Sequence, residues 1–114
     1  LTTPREMAKI GHLVMHNGNW QGEQVVSSRW IAEMTNSKIA KEQTGNEMTF
    51  GYYWWIDESR GIVFMYGHGG QFVFVKSSKN LVVVTTAEPN TQGKHEFLIQ
   101  KALALFDEID KITK

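Results

Sequence analysis

The chain contains no cysteine, so disulfide staples and thiolate metal sites are excluded, while the compartment stays open. It has no net charge, with 12 Lys and Arg against 12 Asp and Glu. That balance gives no electrostatic reason to expect a nucleic acid or an anionic membrane as partner. No apolar run approaches the roughly 20 residues that span a bilayer. No charged-then-apolar leader opens the chain, and residue 1 is Leu rather than Met, which raises the expectation of an excised or processed piece. There is no internal repeat and no low-complexity tract. Its 114 residues fit one domain, or a piece of one, able to bury about two-thirds of its unfolded surface.

What is present centres on Gly61-Ile-Val-Phe-Met-Tyr-Gly-His-Gly-Gly-Gln-Phe-Val-Phe-Val75. Two apolar runs rich in valine and aromatics, suited to a pleated surface, flank Gly67, Gly69 and Gly70 around His68. Glycines inside such a pattern mark a bulge, or a place where a ligand or another backbone comes close.

Upstream, Thr3-Pro4-Arg5-Glu6 is a helix start, with a capping residue, proline at the first position and a capping-box glutamate. Met7, Ile10, Leu13 and Val14 follow at helical spacing, and Asn17-Gly18 supplies a left-handed stop. A helix is expected over 4–16 and a second, capped by Ser27, over 28–35. The polar stretch 35–47 reads as a surface loop. Strands are expected at about 48–56, 62–67, 71–76 and 81–86, and a helix at about 94–112 with Leu98, Ala102, Leu105, Ile109 and Ile112 on one face and Ile99, Leu103 and Phe106 widening it. The fold class is α+β, an antiparallel meander flanked by helices, in a single domain over 1–114.

The strands are apolar on both faces, since Phe72 and Phe74 alternate with Val73 and Val75 and Leu81 to Val84 is apolar throughout. Such a sheet needs cover on both sides. The last helix can cover one face. The first two helices are expected to be too little for the other, so that something is absent or comes from a partner chain.

These pieces resemble the C-terminal part of the serine β-lactamase and penicillin-binding-protein-like family, in its class C and esterase branch. The residues that carry the likeness are Thr2-Thr-Pro-Arg-Glu-Met-Ala-Lys-Ile-Gly-His-Leu13, Asn17-Gly-Asn-Trp-Gln-Gly22, Val25-Val-Ser-Ser-Arg-Trp-Ile31, Phe50-Gly-Tyr-Tyr-Trp-Trp55, Tyr66-Gly-His-Gly-Gly-Gln71 and Leu81-Val-Val-Val-Thr85. They run in the family's order over nearly the whole chain. The resemblance implies a partial β-lactamase/transpeptidase-like fold and acyl transfer to a serine, on an amide, ester or peptide. It implies no cofactor or metal, and a periplasmic or extracellular setting.

In that family a Ser-x-x-Lys serine attacks the carbonyl and a Tyr-x-Asn or Ser-x-Asn group assists. A Lys-Thr-Gly-type strand lines the site, and the residue after its triplet gives one of two oxyanion N–H donors. Two registers are open here. In the preferred one Met65-Tyr66-Gly67 is the triplet and the His68 amide donates. In the other His68-Gly69-Gly70 is the triplet and Gln71 donates. Tyr66, Gly67, Gly69 and Gly70 then border the substrate. Neither register keeps the lysine or the threonine, which favours an esterase, amidase or peptidase-like parent over recognition of a β-lactam carboxylate.

No Ser-x-x-Lys and no Tyr-x-Asn occurs in residues 1–114. Ser78-Lys79-Asn80 matches Ser-x-Asn as a string but follows the glycine motif, and reads as a hairpin turn. The expected partner is therefore the upstream part of the same domain, or a second copy. His12 and His16, four apart on one helix, lack the glutamate of a zinc-protease motif and an apparent third ligand. The aromatic run Tyr52 to Trp55 suits core and cleft packing better than a stacking platform. The second functional class is a non-catalytic α+β binding or interaction module that uses its open sheet face or edge.

Overall fold

A computed structural model of the chain describes residues 3–36, 48–67, 71–86 and 95–113. Its order is helix α1 (Pro4–Met15), strands β1 (Asn19–Trp20) and β2 (Glu23–Gln24), helix α2 (Ser28–Met34), then β3 (Thr49–Phe50) and β4 (Trp55–Asp57). Strands β5 (Ile62–Gly67), β6 (Gln71–Lys76) and β7 (Leu81–Thr85) and helix α3 (His95–Ile112) follow. Strands β1 and β2 form a small hairpin, and β3 to β7 form a five-stranded antiparallel sheet in sequence order. The architecture is an α+β meander between helices.

The local signals act as their chemistry dictates. Thr3 Oγ1 accepts from the Glu6 N–H at 3.2 Å, and Pro4 opens α1. Gly18 closes it, donating its N–H to the Leu13 carbonyl at 2.8 Å with φ +87°. A Cβ at Gly18 would lie 1.9 Å from the Val26 carbonyl oxygen, so only glycine lets the chain double back there. Ser27 Oγ caps α2 by accepting from the Trp30 N–H at 3.1 Å.

Pleat alternation sorts the sheet into two faces. Ile62, Phe64, Phe72, Phe74 and Val83 face α3 and pack with Ile99, Ala102, Leu103 and Phe106. Leu105 and Ile112, expected on the apolar face, are exposed instead, because the sheet meets the helix along the residues expected only to widen that face. Phe74 is central, with ring centroids 5.2 Å from Phe106 and 5.4 Å from Phe64. Charges pin α3 to the same face. Arg60 donates to both oxygens of Asp107, at 2.9 and 3.1 Å, and to Asp57 at 2.7 Å. Lys76 donates to Asp110 Oδ2 at 2.7 Å, and Lys79 donates to the carbonyls of Asp110 and Thr113 at the helix's C-terminal end, where a cation also suits the helix dipole. Burial pushes the Asp57 carboxyl up, but hydrogen bonds from Ser59 and Arg60 outweigh it and leave the group below its usual value. Hydrogen bonds from Lys76 and Lys79 hold Asp110 below its usual value too.

On the opposite face Val73 and Val75 are fully buried with Val14, Ile31 and Trp54. Helix α1 covers β6 and β7. It comes close because Gly11 has no side chain: a Cβ there would stand 2.6 Å from Val82 Cγ1 and 3.0 Å from Val73 Cγ1. The cover thins toward β5 and β4. Val63 and Met65 are only partly buried, and two cavities, of about 310 and 350 Å³, open along that side of β5. The N-terminal helices therefore cover half of this face well and the other half poorly.

One expected element is different. In place of a single strand over 48–56, β3 and β4 pair with each other, Thr49 with Ile56 and Phe50 with Trp55. The Gly51 N–H donates to the Trp54 carbonyl at 2.7 Å, and Tyr53 takes a left-handed φ of +69°. The chain has to fold back because Trp54 is buried against Ile31 while Tyr52 donates its N–H to the Met34 carbonyl at 2.9 Å. The apolar alternation of a strand cannot hold across those anchors.

Candidate functional site

Strands β5 and β6 pair to their very ends, where Gly67 opposes Gln71 and residues 68–70 join them. Both Gly67 and Gln71 are exposed. They lie on the α1 side of the sheet, at one end of the 310 Å³ cavity. Met65 and Val73 floor the cavity, Met7 and Ile10 of α1 form one side, and Tyr53 of the β3–β4 turn stands at its border.

Of the residues singled out in the sequence, Gly67 and Gln71 come together here. Tyr66 borders the same cavity, but its ring lies in a stack between Trp55, at 6.3 Å, and Phe72, at 5.6 Å, on the α3 side of the sheet. Its contribution at the cavity is therefore through the backbone. His68, Gly69 and Gly70 lie outside the described residues, and so do residues 37–47 of the loop expected over 35–47. Ser78-Lys79-Asn80 forms a turn at the far end of β6, with Asn80 at φ +54° and Lys79 tied to α3. A strand of six residues, about 20 Å, separates that turn from Gly67 and Gln71.

Gly67 is not explained by crowding within the described residues. A Cβ added there would meet only Gln71 atoms, at 3.6 and 3.8 Å, which is ordinary contact. The smallness of this residue leaves room for something that approaches from the open side.

His12 and His16 stack edge-on with centroids 4.0 Å apart, and Trp20 lies 5.2 Å from His12. Among the described residues no three His, Cys, Asp or Glu side chains gather as a metal site would need. Among the described residues that line the cavity, none is a carboxylate, histidine, lysine or arginine. The arrangement can hold an uncharged, mostly apolar group against a strand end that offers backbone polar atoms. Among the described residues it contains no activated nucleophile and no base.

The sequence pointed to Gly67 and Gln71 but missed the walls. Met7 and Ile10 carried a helical period that reads as core, and Tyr53 sat in what read as a strand. Only the close seating of α1 and the turn at 51–54 bring them to the cavity.

No family model and no curated protein matches this sequence. Among solved structures the fold matches that titled "Putative 6-aminohexanoate-dimer hydrolase from Bacillus anthracis", with a TM-score of 0.71 and 20% identity. The match covers 99% of this chain and 30% of the other. The chain thus spans under a third of that protein's length, and at this identity the likeness is one of fold.

Proposed function

We propose that this chain is the C-terminal portion of a β-lactamase-like serine hydrolase, with acyl transfer or hydrolysis of an amide, ester or β-lactam as the parent activity. It supplies the strand that lines the site, β5, and one oxyanion-hole amide at His68. Gln71 is the donor in the alternative register. The attacking serine and its base belong to the upstream part of the domain. The observation that carries this reading is the whole-chain fold match to less than a third of a hydrolase.

Two features support it. The poorly covered side of β4 and β5, with Val63 and Met65 partly buried between two cavities, is where a further body of the same domain can complete the core. Gly67 is small without a reason among the described residues, at the strand end where a substrate carbonyl has to approach an N–H. In this reading Tyr66 holds the strand end in place through its ring stack, and Gly67, Gly69 and Gly70 leave the approach open.

The test is covalent labelling read by mass spectrometry. The 114-residue chain alone is expected to give no stoichiometric adduct with a fluorophosphonate or a β-lactam. Joined to the segment encoded upstream, it is expected to give one adduct, on a Ser-x-x-Lys serine. Gly67→Ala in the joined protein is expected to keep or raise stability, by up to about 1 kcal/mol for losing a strand glycine, while labelling slows. An adduct on the isolated chain, or an upstream frame with no Ser-x-x-Lys, refutes the proposal.

A further inference from the structure

Tyr53 is an anomaly that burial of its own side chain does not explain. Its φ of +69° is a conformation that bulky residues avoid. Among the described residues the other non-glycine positions with positive φ are Asn17, Gln21 and Asn80, all polar turn residues. The residue is 81% exposed, so its burial offsets little of the strain. The conformation is nonetheless imposed firmly. Gly51 lies so close to α2 that a Cβ would stand 2.1 Å from the Met34 carbonyl oxygen. The Tyr52 N–H is bonded to that carbonyl, and Trp54 is sunk in the core. The clamp leaves Tyr53 held out at the border of the 310 Å³ cavity. Strain of this kind persists where the surrounding structure over-determines it, and it gathers at binding and catalytic sites.

The rest of the lining says what the cavity suits. Met7, Ile10, Met65 and Val73 are apolar, and the polar end lies at Gly67 and Gln71. Among the described residues no charged side chain lines it. Its volume is at the low end of small-molecule pockets.

We infer that this cleft binds the aliphatic acyl part of an uncharged linear amide or ester, with Tyr53 as the wall that selects it. The apolar chain lies along Met65 and Val73, and the carbonyl points to the end of β5 and β6. Tyr53 acts as a specificity-determining residue, and the strained turn is what keeps its ring in place. The assignment of an amide or ester, rather than any apolar molecule, rests on the hydrolase reading above.

The experiment is a titration of the 114-residue chain with N-butylhexanamide, followed by amide and methyl NMR shifts. Saturable shifts are expected at Gly67, Gln71 and the Met65 methyl, with a dissociation constant on the order of 1 mM for a ligand of this size. Tyr53→Gly removes ring and strain together. It is expected to weaken binding at least tenfold while the melting temperature holds or rises. Tyr53→Phe keeps the ring and is expected to bind within twofold of the parent chain. A merely structural tyrosine would give the reverse pattern, with a lower melting temperature and unchanged binding, and that result overturns the inference. So do shifts confined to the separate apolar pocket of Leu13, Trp20 and Val25, absence of saturation, or equal binding of hexanoate, which is charged. The readings fail separately, because an upstream frame without Ser-x-x-Lys sinks the hydrolase while the amide titration still reports on the cleft.

Discussion

Replacing Gly11 by alanine tests how closely α1 rides on the sheet. In an open helix the change gains about 0.8–1.0 kcal/mol of propensity. Here the new methyl would sit 2.6 Å from Val82 Cγ1 and 3.0 Å from Val73 Cγ1. Val73 is fully buried and Val82 is partly so, and both are β-branched and stiff about χ1. Overpacking of this kind costs about 1–3 kcal/mol. The net expectation is a loss of about 1 kcal/mol, near 4 °C in melting temperature for a domain of this size. Val82→Ala alone removes two methyls from a partly buried site and costs about 1 kcal/mol. The double variant relieves the clash, since the methyl introduced at position 11 fills the space that Val82 gave up. It is expected to be more stable than the sum of the two single losses by about 1 kcal/mol. Urea denaturation with a common m-value measures all four corners of the cycle. If Gly11→Ala is stabilising, or if the two losses add within about 0.3 kcal/mol, α1 does not seat on β6 and β7 as described. The outcome bears on the site as well, because Met7 and Ile10 reach the cavity only from that close position.

Arg60→Ala leaves Asp57, whose side chain is 6% exposed, without its cation and unhooks Asp107 of α3. The Arg60 end is about one-third exposed, so the expected loss is about 1–3 kcal/mol rather than the full cost of breaking a buried pair. Arg60→Lys is expected to recover only part of it in urea denaturation, because an ammonium cannot bridge both carboxylates as the guanidinium fork does; full recovery would refute the bidentate geometry. Acid should weaken the fold in a defined direction. Asp57 and Asp110 have folded-state values below their unfolded ones, so the unfolded chain binds more protons as pH drops. Their contribution is present above about pH 4 and is lost as pH falls further through the folded values. Thermal melts across pH 7 to 2 are expected to show that loss. The deficit of Lys79→Met relative to the parent chain is expected to shrink over the same range, as Asp110 becomes neutral; a deficit that grows in acid would contradict the ion pair.

Local chemistry was enough to read much of this protein. The Thr3 cap, Pro4 and the Asn17-Gly18 stop bound α1 at Pro4–Met15, and Ser27 starts α2. Valine and phenylalanine runs mark β5, β6 and β7, and their apolar character on both faces foretold a sheet with helices on each side. The same pattern drew attention to the glycine cluster, because backbone permissiveness is a property of the residue itself, and of that cluster Gly67 borders a cavity while His68, Gly69 and Gly70 lie outside the described residues. Other features depended on atoms far apart in sequence. The run 48–56 carries strand-forming aromatics and no turn dipeptide, yet it folds into β3 and β4 because α2 offers the Met34 carbonyl to Tyr52. The left-handed Tyr53, the Arg60 bridge to Asp107 across 47 residues, and the uneven cover over β5 are likewise products of assembly. Sequence specifies a strand or a helix through short-range sterics and periodic burial. Which faces meet, how near, and what cleft is left between them depend on volumes and hydrogen-bond partners that only the folded chain brings into contact.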